Sequence, residues 1–307
     1  MSQLLLRCNW SFGKERQLRL IVITQNIIAH ILPVVLPLTI SHYNRNPMDL
    51  KLTGKTALIT GASMGIGEHI AETLAQEGVY LHLTARSADK LDALKVRLTE
   101  TNDIEVTVHP LDLTAEGACE QLDKAIDKVD ILVNNAGAIP SGDLWDVDQE
   151  SWRTGWDLKV YGYIGMCRLF YAKMKNAGDG VIINIIGNGG EVLDPKYIAG
   201  GAGNISLMGF TRSLGAFSLD DNIRVVGINP GPVNTDRIYN MLKKRAAKDF
   251  GDAGEYKKLA AQWPLDRPAH KREISDLVAF LASYRSGYTT GTVFTVDGGI
   301  ASRGSIV

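Results

Sequence analysis

The sequence predicts an α/β fold in which one doubly wound, seven-stranded parallel sheet carries helices on both faces. Two observations predict it. From Lys55 onward, short apolar runs alternate with helical patterns, which is the signature of βαβ units. The first of these runs also leads directly into a glycine-rich turn that opens a helix.

The candidate strands are Thr56–Thr60, Tyr80–Thr84, Val106–Val108, Ile131–Val133, Val181–Ile186, Val225–Ile228 and Val293–Val296. Their Val and Ile content and lack of strict alternation suit a sheet covered on both faces. The 307 residues, 45% hydrophobic and 22% charged, are enough for one large domain with an appendage. No repeat of solenoid or propeller length recurs. Lys and Arg number 33 against 34 Asp and Glu, so no net field draws the chain to nucleic acid. Cys8, Cys119 and Cys167 are odd in number and lack CxxC spacing, which argues against a disulfide framework and a zinc site and fits a reducing, cytoplasmic setting.

Residues 1–47 differ from the rest. A basic start with Arg7, Lys14, Arg16 and Arg19 leads into an apolar run from Leu20 to Ile40. A membrane-spanning helix needs about 20 apolar residues, but Thr24, Gln25, Asn26, His30, Pro33 and Pro37 interrupt this run. The extension reads as a flexible leader or an upstream stretch not made in the cell, as a membrane-associating segment through residues 20–40, or as a packed subdomain. The main domain is expected over 48–307, with 42–47 as linker.

The turn Thr60-Gly61-Ala62-Ser63-Met64-Gly65-Ile66-Gly67, between strand and helix, is a phosphate-binding bend. Glycines let the backbone approach a pyrophosphate, and the free N–H groups and positive end of the following helix receive its charge. Ser63 adds a hydroxyl donor. Strand, turn and helix in this succession, repeated along the chain, predict a Rossmann-type fold that holds a dinucleotide. The second strand ends Leu83-Thr84-Ala85-Arg86. An acidic residue that would grip both ribose hydroxyls is replaced by Ala85. Arg86 offers a planar fork of donors to a 2′-phosphate, so NADP(H) is expected in preference to NAD(H).

The TGxxxGxG spacing, Asn134-Asn135-Ala136-Gly137 after the fourth strand, Asn229-Pro230-Gly231-Pro232-Val233-Asn234-Thr235, and Asp297-Gly298-Gly299 together resemble the short-chain dehydrogenases/reductases over Met48 to Ser302. The resemblance implies that Gly61, Ser63, Met64, Ile66 and Gly67 cradle the cofactor phosphates. It places Asp112 and Leu113 at the adenine and the Asn135, Ala136 and Gly137 backbone along the cofactor. Pro230, Gly231, Val233 and Thr235 then fall at the nicotinamide. It also implies a homodimer or homotetramer and a small-molecule carbonyl or alcohol substrate. Residues 236–264, with Ile238, Tyr239, Met241, Leu242, Leu259 and Trp263 among many charges, resemble the family's substrate-covering segment.

The family reduces a carbonyl with a Tyr proton donor, a Lys that lowers its pKa, a Ser that orients substrate and an Asn in the proton relay. Counting back from Phe210-Thr211-Arg212-Ser213-Leu214 places those Ser, Tyr and Lys positions at Gly187, Gly200 and Asn204, and the Asn position at Lys159. No YxxxK lies between Val181 and Leu219. Tyr197, close to one helical turn before Gly200, is the nearest phenol, and Lys159 is the cation from the neighbouring helix that would serve it. The competing readings are Tyr197 as a packed aromatic and Lys159 as a surface or ribose-contacting residue. Asn188 and Asn204 are further groups that could orient a carbonyl. Gly187, Gly189, Gly190, Gly200, Gly201 and Gly203 imply either a widened pocket or close helix packing. Two functions follow: an oxidoreductase with atypical proton-transfer groups, or an NADP-binding sensor or structural subunit without turnover.

Overall fold

In the computed structural model, residues 48–261 and 263–303 are described; the expectations for the extension over 1–47, including its apolar run and Cys8, lie outside them. Seven strands form one parallel sheet in the order β3-β2-β1-β4-β5-β6-β7. They are β1 (Thr56–Thr60), β2 (Tyr80–Ala85), β3 (Val106–Pro110), β4 (Ile131–Asn134), β5 (Gly180–Ile185), β6 (Ile223–Pro230) and β7 (Thr292–Val296). Each expected strand is present. The third and sixth run on to Pro110 and Pro230, and the next residues still donate across the sheet, Leu111 N to the Ala85 carbonyl and Gly231 N to the Val296 carbonyl. The fifth stops at Ile185, one residue short of the expected end, because Gly187 takes φ 136°.

Alternate residues of a strand point to opposite faces, so neighbouring apolar residues feed two cores. Ile59 packs with Ile70 and Leu74 of α1 (Gly65–Gln76), with Leu91, Leu94 and Leu98 of α2 (Ala88–Thr101), and with Ile274, Val278 and Leu281 further along the chain. Leu58 packs on the other face with Leu122 of α3 (Ala118–Ala125) and with Met166, Phe170 and Met174. Those three belong to α5 (Gly162–Ala177), which continues α4 (Gln149–Trp156) through a π-helical turn over Asp157–Tyr161. Next along the chain come α6 (Ile198–Gly215), α7 (Asp236–Phe250), α8 (Tyr256–Ala260) and α9 (Lys271–Ala282). Among the described residues no helix is long and apolar enough to cross a membrane.

Strand order reverses between β1 and β4, which opens a crevice at their C-terminal ends. The far side of the sheet is anchored by Arg224 of β6, which is 7% exposed and faces the end of α9. Its guanidinium donates to the carbonyls of Leu281, Ala282, Ser283 and Ser286 and to Ser286 Oγ. Carbonyls left over at a helix end carry partial negative charge, so they hold this cation directly. Arg224→Met keeps the apolar stem but strips the donors from buried carbonyls. A loss of about 2–4 kcal/mol in urea unfolding is expected, and an unchanged midpoint would show that these carbonyls find water instead.

Candidate active site

The crevice is built on Thr60, the buried last residue of β1. Its Oγ1 accepts the backbone N–H of Asn135 at 2.9 Å and of Ala136 at 3.0 Å. Asn135 Nδ2 donates in return to the carbonyls of Thr60 (3.0 Å) and Gly61 (3.1 Å). The glycines beside this brace are sterically required. A Cβ on Gly61, at φ +65°, would lie 2.9 Å from Ala136 Cα, and one on Gly67 would lie 2.4 Å from the Gly61 carbonyl oxygen. Ser63 and Ile66 are half-buried and Met64 is exposed on the rim of the same bend. The result is a cradle of backbone at the start of α1, with room where side chains would otherwise stand.

Two of the other expected cofactor residues meet at the ends of β2 and β3. Arg86 is exposed there, and its charge helps hold the Asp112 carboxyl below its usual range, although hydrogen bonds from Thr114 are the larger cause. Asp112 Oδ1 accepts both Thr114 N and Thr114 Oγ1, so the residue closes its own turn rather than capping α3, which begins later at Ala118. Leu113 is buried nearby. Across the crevice, Gly231 donates to the Val296 carbonyl and presses on Asp297, a contact closed to any larger residue because a Cβ would sit 2.8 Å from Asp297 Cα. Val233 is buried, and Ala269 bridges this segment through Pro232 and Asn234. Thr235 then brings its methyl group 3.5 Å from the position a Cβ would take on Gly65, so the 233–235 segment faces the glycine bend. The described residues thus gather Gly61 to Gly67, Asn135 to Gly137 and Pro230 to Thr235 around one groove. Their shape and donors fit an extended dinucleotide.

At the expected reaction end, the structure corrects one reading of Lys159. It is no surface residue: it is 6% exposed, turned inward by the π-helical turn, and its Nζ donates to the Ile186 carbonyl. Its stem runs beneath Gly137, where a Cβ would meet Cδ at 3.0 Å. Burial, with the Arg237 guanidinium adding to it, pushes the amine down from the usual 10.5 to about 7. Asn204, in the second turn of α6, is 2% exposed with Oδ1 lacking any partner. Asn188, the other polar candidate, lies in the short helical turn after Gly187, with its Nδ2 3.6 Å from the position a Cβ would take on Gly231.

Tyr197 caps α6, which begins only at Ile198, and is half-buried. Its backbone is fixed by a bridge to Gly142. A Cβ placed on Gly200 would fall 1.9 Å from Tyr197 Cζ, so the ring occupies the space in which a side chain at 200 would begin. On its other side the ring lies 3.3 Å from a Cβ at Gly189, which is also 3.3 Å from Asn204 Nδ2. Tyr197 and Lys159 do not bond to each other among the described residues; Asn204 and the Gly187–Gly189 turn stand between them. Close packing, rather than a widened pocket, accounts for the glycines. Gly203 admits Ile139, Val160 and Trp156 within 3.3 Å of its Cβ position, and Gly190 admits Met208 and Asn204.

Glu191 was not among the expected groups. Its Oε1 accepts Asn229 Nδ2 at 2.9 Å and Thr295 Oγ1 at 2.6 Å, and Asn229 Oδ1 in turn accepts Gly187 N at 3.3 Å, which fixes the glycine turn to β6 and β7. The segment over 236–264 reaches the groove through Arg237, whose Nη1 donates to the Gly137 carbonyl at 2.6 Å. Its helix α7 is tied to the two rim loops by ion pairs Lys248–Asp146, Arg245–Asp194 and Lys196–Asp249. Such exposed pairs contribute about 0–1 kcal/mol each, so they set where the helix rests rather than hold it shut.

The buried amine makes a pH prediction. Lys159 has a folded-state pKa below its unfolded value, so the unfolded chain binds more protons between pH about 7 and 10.5. Folding stability gains from this group as pH rises through that window, by up to about 1.4 kcal/mol per unit. Lys159→Met lacks the gain. Urea unfolding of both proteins at pH 7, 8 and 9 should show the variant's advantage shrinking with pH; a constant difference would contradict the buried placement.

With that geometry in place, comparison with known proteins is direct. The family described as enoyl-(acyl carrier protein) reductase matches residues 61–301. The oxidoreductase UcpA of Salmonella typhimurium is 34% identical over 253 residues, spanning 81% of this chain and 95% of the relative. The 2-keto-3-deoxy-L-fuconate dehydrogenase of Xanthomonas campestris is 28% identical, over 81% of each chain. The crystal structure of L-sorbose reductase from Gluconobacter frateurii, complexed with NADPH and L-sorbose, superposes with a TM-score of 0.76 at 30% identity over 82% of this chain and 98% of that one. The glycine bend, the sheet order and these relatives agree: the chain belongs to the short-chain dehydrogenase/reductase family of oxidoreductases, which act on alcohol and carbonyl groups.

Proposed function

We propose that the protein is an NADP(H)-preferring oxidoreductase whose proton donor is Tyr197, working with Lys159 in place of the family's Ser, Tyr, Lys and Asn. The observation that carries this reading is the Tyr197 ring filling the Gly200 side-chain position. A phenol is delivered to the edge of the family's Tyr address from one helical turn earlier, because α6 starts late. The Tyr197 hydroxyl has no protein partner among the described residues, which leaves it free for a substrate oxygen.

The bound dinucleotide supplies or removes a hydride at the substrate carbon. Every other task falls to the chain. The Gly61 to Gly67 bend, with Ser63, Met64 and Ile66, receives the bridging phosphates. Asp112 and Leu113 border the adenine, the Asn135 to Gly137 backbone follows the ribose, and Pro230, Gly231, Val233 and Thr235 face the nicotinamide. Arg86 receives the 2′-phosphate, with Ala85 leaving that space open. As the carbonyl oxygen gains charge, Tyr197 donates a proton to it. Lys159, with its amine near neutrality, provides a second acid–base group where such groups work best. Asn204 orients the substrate from the floor. The NADPH in the L-sorbose reductase structure supports the cofactor choice. The domain over 48–307 carries all of these residues, with 1–47 as an appendage, and small molecules are the partners, with association into dimers or tetramers through α5, α6 and the last strand.

The purified chain should consume NADPH with at least some members of a panel of small aldehydes and ketones. Tyr197→Phe should lower kcat by about 10²-fold or more while leaving NADPH affinity intact. Unchanged turnover in that variant would remove Tyr197 from the chemistry. Arg86→Ala should weaken NADPH binding by about tenfold and leave NADH binding alone; equal losses for both nucleotides would refute the 2′-phosphate assignment.

A further inference from the structure

We propose that the side-chain amide of Asn188 selects the substrate, pairing with a carbonyl compound that carries a hydroxyl on the next carbon. The proposal rests on the oxidoreductase reading above and narrows its substrate from a carbonyl in general to an α-hydroxycarbonyl. Asn188 opens the short helical turn Asn188–Gly190 that follows β5. Gly187 before it takes φ 136°, which L side chains rarely adopt, and a Cβ there would meet Asn204 Nδ2 at 3.2 Å. The position that the resemblance assigns to the family's Ser is therefore unsuited to a side chain. The first polar group the turn offers comes one residue later.

The backbone around Asn188 is pinned at every step. Lys159 Nζ donates to the Ile186 carbonyl, and Gly187 N donates to Asn229 Oδ1 at 3.3 Å. Gly190 N donates to the Gly187 carbonyl at 3.2 Å, and the Asn188 carbonyl accepts Glu191 N at 2.8 Å and Val192 N at 2.9 Å. Glu191 closes the frame, because its Oε1 accepts both Asn229 Nδ2 and Thr295 Oγ1. The side chain carried on this frame is half-buried, yet among the described residues its amide has no hydrogen-bond partner. Asn and Asp in turns commonly bond the backbone two residues on. Asp112, Asp143, Asp194 and Asp252 all do so here, and Asn188 does not.

Its surroundings define what the amide can meet. Asn188 Nδ2 lies 3.6 Å from the position a Cβ would take on Gly231, a residue that faces the nicotinamide in the proposed cofactor placement. One residue on, a Cβ at Gly189 would stand 3.3 Å from the Tyr197 ring. The turn thus lies between the cofactor wall and the phenol proposed to protonate the substrate oxygen. An amide presents a donor and an acceptor side by side on a rigid plane. Nδ2 donates to the substrate carbonyl oxygen, and Oδ1 accepts the hydroxyl on the adjacent carbon, while no proton passes to or from the amide. A simple ketone leaves Oδ1 without that partner, so the site discriminates against it.

The full chain and its Asn188→Ala and Asn188→Asp variants are assayed for NADPH oxidation with paired ketones that differ by an α-hydroxyl: hydroxyacetone against acetone, and 2-hydroxyacetophenone against acetophenone. Comparing the ratio of kcat/KM within each pair across the three proteins cancels the intrinsic reactivity of the ketones. The ratio should fall by about tenfold or more in Asn188→Ala, with NADPH affinity, read by fluorescence, unchanged. Asn188→Asp keeps the acceptor and loses the donor, so it should lower kcat/KM for both members of a pair and preserve their ratio. A ratio that Asn188→Ala leaves unaltered overturns the assignment while the oxidoreductase reading stands. A parallel loss of NADPH affinity in Asn188→Ala also overturns it, since the amide then serves the cofactor. If the wild type oxidises NADPH with none of the four ketones, the oxidoreductase reading fails and the assignment falls with it.

Discussion

The hydroxyl of Thr60 accepts two consecutive backbone N–H groups from the end of β4, and the rest of the cleft depends on that contact. With Asn135 returning two bonds to the end of β1, the strands on either side of the reversal in strand order are held at a fixed distance. Nothing larger than glycine fits at 61 or 67 once they are so close. The bend that opens α1 and the position of Gly137 over Lys159 both follow. A sheet edge that would otherwise splay becomes a rigid lip, and a rigid lip is what a pre-organised binding groove requires.

Behind the lip lies a layer of buried polar groups, each tied to the next strand. Asn134 donates to Asn184, and Asn184 to Thr211 on α6. Asn229 joins the Gly187 turn to Glu191. Such networks specify one arrangement strongly when complete and cost free energy where they are not. The incomplete points are instructive. Asn134 Oδ1 and Asn204 Oδ1 lack a donor, and Lys159 carries an amine into a site where no acid among the described residues pairs with it. Asn204 and Lys159 lie beside the Gly187 turn, whereas Asn134 sits inside the network beside Asn184 and Cys167.

Much of this was legible in the residues. The strands, the glycine bend, Asn135 and the Gly231 approach follow from local patterns, because each is set by neighbours in sequence. Burial of Lys159 was not legible, since Asp157-Leu158-Lys159-Val160 reads as an ordinary amphipathic helix and the extra residue of a π-helical turn leaves no mark in composition. Glu191 and Arg237 were missed for a related reason. Each acts through partners roughly 40 to 100 positions away, Asn229 and Gly137, which only the folded chain brings near. The hint available was Arg237 beside Thr235, a cation where the covering segment meets the groove. Gly200 illustrates the opposite case: its meaning as an absence was visible, but not that the ring of Tyr197 fills the space.

That filling bears on how substituted family positions should be read. A glycine at 200 with a phenyl ring in its Cβ position is a site whose occupant enters from elsewhere, and restoring a side chain there would expel the ring rather than add to it. On the proposed assignment the same logic applies across the cleft, with the Asn204 amide in place of the family's lysine on α6 and the Lys159 amine in place of its asparagine on the π-helical turn. Lys159 is longer than asparagine, and from the turn it reaches the Ile186 carbonyl beside Gly187, next to Asn204. One amide and one ammonium are therefore both present at this wall of the cleft, attached to the opposite helices. Electrostatics depends on where charge sits and not on which helix supplies it, so on the proposed assignment an amide and an amine still meet at one wall of the cleft although each comes from the other's helix.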